Sequence, residues 1–153
     1  MKKILSLILL VAMLLTLTAC GGKEESKSVD LNALYESYGA YMPEMFVPDE
    51  DTLMTFLGID TADCKQYVVM ICADGMRTDE VWLIEAKDAD ALARLTELAE
   101  NRLASKADET VSYAPDQYLV VEKAQLLTNG NYLALLVSPE VDAMKAGFEA
   151  AMQ

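Results

Sequence analysis

The side chains able to do chemistry in this 153-residue chain include no histidine, which removes Ser-His-Asp and Cys-His nucleophilic plans and histidine-ligated zinc. No G-x-S-x-G turn, Gly-rich phosphate loop or C-x-x-C pair occurs. What remains is carboxylates, thiols and one short polar string. Asp49-Glu50-Asp51, Asp60 with Asp63, and Asp88 with Asp90 offer calcium-type oxygens, but none has the D-x-[DN]-x-[DN]-G spacing that wraps an ion. Helix capping accounts for them better. Cys64 and Cys72 lie eight residues apart, which is ~26 Å along a straight strand, so a bridge between them requires a bend; otherwise they are small buried hydrophobes. Arg77, Asp79 and Glu80 form a candidate polar surface site at a hairpin mouth, with solvation of the turn as the plainer reading. Tyr35, Tyr38, Tyr41, Trp82, Tyr113 and Tyr118 could line a groove, although core packing is the expectation for them. No catalytic set, metal site or cofactor site is assigned from these residues, but paired carboxylates or a Ser/Lys dyad could act without histidine.

The third cysteine, Cys20, carries the strongest signal. Lys2 and Lys3 precede an apolar run from Ile4 to Leu17, interrupted by Ser6 and Thr16, and small residues then lead to the cysteine. This is the three-part layout of an export signal. Its 14 residues fall short of the ~20 that a helix needs to cross ~30 Å of hydrocarbon. Leu17-Thr18-Ala19-Cys20 resembles the lipobox of bacterial lipoproteins, in which the thiol receives a diacylglyceryl group before signal peptidase II cuts on its N-terminal side. The resemblance implies a lipid attachment site at Cys20, and two acyl chains give stable anchoring where one is marginal. The expected organisation is a signal peptide over 1–19, a lipidated cysteine with a polar tether over 20–28, and one folded domain over 29–153. A flexible tether of this length reaches about 16 Å, at ~5–6 Å × √n, so the domain is expected close to the bilayer.

The formal charge is −13, and loss of residues 1–19 leaves 10 basic against 25 acidic residues, or −15. Such a surface repels phosphate backbones and anionic headgroups, so no nucleic-acid partner is expected. The predicted membrane contact is through lipid on Cys20.

Asp30 caps a helix carrying Leu31, Leu34, Tyr35 and Tyr38 on one face. Asp49 to Asp51 opens a second short helix over Thr52–Leu57 that stops at Gly58. Gln66–Cys72 and Val81–Ala86 form an antiparallel hairpin around Ala73-Asp74-Gly75. A long helix runs from Asp88 to about Ser105, with Leu92, Leu95, Ala99 and Leu103 on one face. Pro115 starts a short helix, and a second hairpin joins 124–128 to 131–138 through a type I′ turn centred on Asn129-Gly130. Ser138-Pro139-Glu140 opens a last helix with Val141, Met144 and Phe148 inward. The fold class is therefore α+β: an antiparallel sheet of about four strands in two hairpins, with helices mainly on one face.

Several strings along this order resemble an uncharacterised domain-of-unknown-function family of small bacterial lipoproteins: Phe56-Leu-Gly-Ile-Asp60, Thr78-Asp79-Glu80-Val81, Arg102-Leu103, Tyr113-x-Pro115-x-Gln117 and Gly130-Asn-Tyr132. The resemblance implies fold and location and brings no activity. The expected function is a lipid-anchored module on the extracytoplasmic face of the cell membrane, non-catalytic, binding an envelope protein, peptide or wall component. The rivals are a carboxylate-dependent cell-wall enzyme or enzyme accessory and, less favoured, a small-solute receptor, since a chain this short encloses an internal pocket with difficulty.

Overall fold

The structure, a computed structural model, describes residues 28–153. The expected signal peptide over 1–19, the lipobox-like string Leu17-Thr18-Ala19-Cys20 and nearly all of the expected tether lie outside the described residues. The chain forms α1 (Leu31–Ser37), β1 (Met45–Phe46), α2 (Glu50–Phe56), β2 (Cys64–Cys72), β3 (Glu80–Ala86), α3 (Ala89–Tyr113), α4 (Pro115–Glu122), β4 (Gln125–Asn129), β5 (Tyr132–Val137) and α5 (Val141–Ala151), with 3-10 turns at Gly39–Tyr41 and Thr61–Asp63. No helix among the described residues is long and apolar enough to cross a membrane.

The acids read as caps do cap. Asp30 accepts from the backbone N–H groups of Asn32 and Ala33 at 3.0 and 3.1 Å, Asp49 from Thr52 at 2.8 Å, Asp60 from Ala62 at 2.9 Å and Asp88 from Ala91 at 2.8 Å. Each satisfies donors that the first turn leaves without a partner.

The five strands form one antiparallel sheet in the order β1-β2-β3-β5-β4, so both predicted hairpins are present and joined through β3 and β5. The strand beyond the expected four is β1, whose two residues pair as Met45↔Cys72 and Phe46↔Ile71. It sits between Pro43 and Pro48, too short to display an alternating pattern. At the second hairpin Asn129 pairs with Tyr132, which leaves Gly130 and Asn131 as the connection. Gly130 alone there has a positive φ, +55°, so the turn is of the II′ kind with glycine first, rather than the I′ turn centred on Asn129-Gly130.

Every residue of β5 is buried, because the sheet is covered on both faces. Trp82, Ile84, Leu133 and Leu135 pack under α2, α3 and α4, while Val81, Leu83, Ala134 and Leu136 pack against α1 and α5. Three helices including the longest thus share one face, and α1 and α5 close the other. Each large apolar side chain so buried contributes ~1.5–3 kcal/mol. On the α1/α5 face the Tyr38 hydroxyl donates to the Met144 carbonyl at 3.0 Å, and burial pushes its pKa up to about 12.

Helix α3 is eight residues longer than the apolar period indicates, ending at Tyr113 instead of near Ser105. Its inward positions run Ala91, Leu95, Ala99, Arg102, Lys106, Thr110, so the stripe facing the sheet changes from apolar to basic and polar in mid-helix. That change positions the candidate site.

Candidate functional site

Glu80 opens β3 and shares a sheet face with Trp82, directly beneath the basic half of α3. Its buried carboxylate is gripped from several sides. Oε1 accepts from Trp82 Nε1 at 2.8 Å and from Arg102 Nε at 3.0 Å. Oε2 accepts from Arg102 Nη2 at 2.8 Å and pairs with Lys106 Nζ at 2.8 Å. Lys106 also donates to the Thr78 carbonyl at 3.0 Å. Burial pushes the Glu80 pKa up, but the Arg102 hydrogen bonds and the Lys106 charge outweigh it, and the group ends below its ordinary value. The cluster of one acid and two bases retains one positive charge in the interior.

Beside it Arg77 forks onto Asp79, Nε to Oδ2 at 2.9 Å and Nη2 to Oδ1 at 3.2 Å. From α4, Gln117 Oε1 accepts from Thr78 N at 3.0 Å and from Thr78 Oγ1 at 3.2 Å. Because a backbone N–H can only donate, this contact fixes the amide orientation and leaves Nε2 on the other side.

These groups surround an open pocket of about 490 Å³ between the first hairpin loop, α2, α3 and α4, within the ~300–1,000 Å³ typical of small-molecule sites. Its walls include Arg77, Thr78, Arg102, Lys106 and Gln117, with Phe46, Phe56, Ile71, Met76 and Tyr113. Phe46, Phe56, Met76 and Tyr113 are exposed, Tyr113 by 89%, and the Arg102 guanidinium stands 5.0 Å from the Phe56 ring centroid. Residues 28–153 contain eight Lys or Arg side chains, and three of them line this one pocket of an acidic protein.

Arg77, Asp79 and Glu80 do not form the polar surface site expected at the hairpin mouth: only Arg77 is exposed, and Asp79 and Glu80 are buried. The reason is tertiary, since α3 and α4 close over the hairpin mouth. Asp79 neutralises Arg77, and Glu80 belongs to the separate cluster beneath α3. Sequence reasoning missed Arg102 and Lys106 as site residues, together with Gln117, Phe46 and Phe56. The signal for the bases was present in their i, i+4 spacing on the line that continues Leu95 and Ala99. Of the six aromatics considered for a groove, Tyr113 lines the pocket, while Trp82 and Tyr38 are core. The pocket is open to solvent and is not the internal one that a small-solute receptor is expected to need.

A second, shallower hollow of about 430 Å³ lies near the start of α3, lined by Gly58, Asp60, Asp63, Arg94, Glu97, Leu98 and Asn101. There Asp63 accepts from Arg94 at 2.7 and 2.9 Å and pairs with Lys87 at 2.8 Å. These hydrogen bonds hold its carboxyl well below the usual carboxylate range. One carboxylate thus holds two cations, both of which also feel the charge of Asp88, and the pairs link α3 to the turn before β2 and the end of β3. Cys64 and Cys72, at opposite ends of β2, are free thiols, as the straight strand between them requires. Burial, with Asp63 and Asp60 adding to it, pushes the Cys64 pKa up to about 11, which favours the neutral thiol.

No curated protein matches the chain and no solved structure does. A family profile does match, over residues 36–138, a span that holds every residue lining the pocket. Four of the five strings that carried the sequence resemblance meet at that pocket, through Phe56, Thr78, Arg102, and Tyr113 with Gln117. On this match, which covers well over half of its length, the chain belongs to the family described as domain of unknown function DUF4358.

Proposed function

We propose that this protein is a non-catalytic binding module, held on the extracytoplasmic face of a bacterial cell membrane by diacyl lipid on Cys20, and that the pocket beneath α3 is where it engages its ligand. The tether rests on the basic start, the apolar run and the complete Leu17-Thr18-Ala19-Cys20 string. The binding role rests on one observation: a pocket floored by a satisfied charge cluster and framed by exposed aromatic side chains. A concave lining of apolar and aromatic side chains with a few fixed polar groups is the usual anatomy of a ligand site. Glu80, the carboxylate beneath the pocket, is fully engaged by Trp82, Arg102 and Lys106, and the carboxylate in its lining, Glu109, is exposed to water, which favours recognition over proton transfer.

Two measurements test this reading. Intact-mass analysis of membrane-extracted protein is expected to give a chain beginning at diacylated Cys20, and Cys20→Ser abolishes that species; a soluble unmodified chain refutes the tether. A photo-crosslinking residue at Tyr113 in the cell-expressed protein is expected to trap an adduct that Phe56→Asp removes. Equal trapping from Glu149 on α5 refutes the assignment of the site.

A further inference from the structure

Two polar side chains that line this pocket without being exposed keep donors free, while the exposed carboxylate in the lining, Glu109, is the acceptor set against them. Among the described residues, Arg102 uses Nε and Nη2 on Glu80 and has nothing on Nη1. Gln117 uses Oε1 on Thr78 and has nothing on Nε2. No buried side-chain nitrogen or oxygen among the described residues lacks a partner. Both atoms belong to residues that are not exposed and that line the pocket, so they open onto its solvent. Lys106 keeps one proton beyond its contacts with Glu80 and Thr78. The pocket therefore asks for an acceptor, and its walls ask for carbon.

Charge decides which acceptor. The Glu80, Arg102 and Lys106 cluster carries a single excess positive charge, while Arg77 is neutralised by Asp79. That one positive charge sits beside the free donors and suits a monoanion; Glu109 in the lining offsets it across the pocket as a whole, so a dianion would bring uncompensated negative charge into a strongly acidic protein. A guanidinium edge from α3 and an amide N–H from α4, both in the pocket lining, suit a planar group with two acceptor oxygens. Resting on the pocket being the binding site, we propose that its ligand is an organic carboxylate with an apolar body. The carboxylate accepts from Arg102 Nη1 and Gln117 Nε2 beside Lys106, and the body lies against Phe46, Phe56 and Tyr113.

The chain has one tryptophan, and its indole N–H donates to Glu80 at the floor of the pocket. Full-length protein labelled with 15N-tryptophan and held in phosphatidylcholine nanodiscs thus gives one indole signal that reports this site. Titration with 4-phenylbutyrate is expected to move that signal saturably. The neutral isostere 4-phenylbutyramide is expected to bind at least tenfold more weakly, and acetate and inorganic phosphate to give no saturable shift over the same range. Gln117→Glu keeps the acceptor that holds Thr78 and replaces the Nε2 donor by an anion. It is expected to weaken phenylbutyrate at least tenfold and to cost the amide, whose NH2 can donate to the new carboxylate, much less, a split that misfolding would not produce. Equal binding of acid and amide, or phosphate binding as tightly as the acid, overturns the ligand class while leaving a binding pocket. Absence of any saturable shift overturns the inference outright, and the crosslinking from Tyr113 then judges the site independently.

Discussion

Helix α3 is fastened to the sheet at two places by the same set of groups in two different surroundings. Near its start one carboxylate, Asp63, holds an arginine and a lysine, Arg94 and Lys87. Eight residues further along, one carboxylate, Glu80, holds Arg102 and Lys106. The cations of the first set are 53% and 42% exposed, those of the second 14% and 8%. In the first set water and salt share the work, so the pairs are weak and replaceable. In the second the desolvation of three charges is offset only while all three are present, and the cluster brings little net stability. A protein that needed only to hold α3 down has no use for the second arrangement. The buried set makes sense as the floor of a pocket with donors to spare.

The sharpest way to break this comparison is Glu80→Gln, which strands two buried cations and is expected to cost ~3–5 kcal/mol in urea unfolding. Replacing Glu80, Arg102 and Lys106 together by Met, Leu and Met is expected to recover most of that loss, short by the ~1–3 kcal/mol that the stranded Trp82 N–H costs, while removing phenylbutyrate binding. A triple variant as unstable as Glu80→Gln would mean that the cluster is structural after all.

Next in size is Gly58→Ala, at the exposed end of α3. Gly58 has φ +74°, and an added Cβ would lie 2.9 Å from Leu98 Cδ2. The left-handed backbone alone costs ~1–2 kcal/mol for an alanine, so this change is expected to outweigh any removal of charge there. Shape rather than charge holds that end. Thermal or urea unfolding beside Asp63→Asn checks the order.

Acidification gives a smaller and graded effect. Glu80 holds its proton less tightly folded than unfolded, so its contribution is complete above the unfolded carboxylate value of about 4.3 and drains away as pH falls below it. Wild type is therefore expected to lose stability relative to the triple apolar variant between about pH 5 and pH 3. Parallel curves for the two proteins would contradict the lowered Glu80 pKa. The smallest effect is expected from Asp63→Asn, a salt-sensitive change in melting temperature that fades at high ionic strength. A loss as large as that of Glu80→Gln would erase the contrast between the two clusters.

Much of the scaffold was legible because local rules wrote it. Asp30, Asp49 and Asp88 cap the helices they precede, and the apolar run Tyr132–Val137 reads as strand from its composition. That run also carries a second sign. Six consecutive buried positions without alternation require cover on both sheet faces, which α1 and α5 supply on the second. The I′ turn misplaced by one residue shows the limit of dipeptide rules, since strand register, set by packing on both faces, decides which two residues turn.

The site was half legible. The string Thr78-Asp79-Glu80 stood out as polar residues entering an apolar strand, but nothing local says that Glu80 is buried or that Arg102 and Lys106 come to meet it. The apolar period of α3 simply stops after Leu103, and such a stop reads as a helix end unless a partner for the next inward residues is known. By itself, then, the sequence determined the helices, the two hairpins and the absence of histidine chemistry, because capping, periodicity and composition act over a few residues. Only the tertiary structure decided that Glu80, Arg102, Lys106 and Gln117 share one pocket and which of their donors remain free. Burial and charge pairing depend on residues tens of positions apart, and no short stretch of chain encodes that distance.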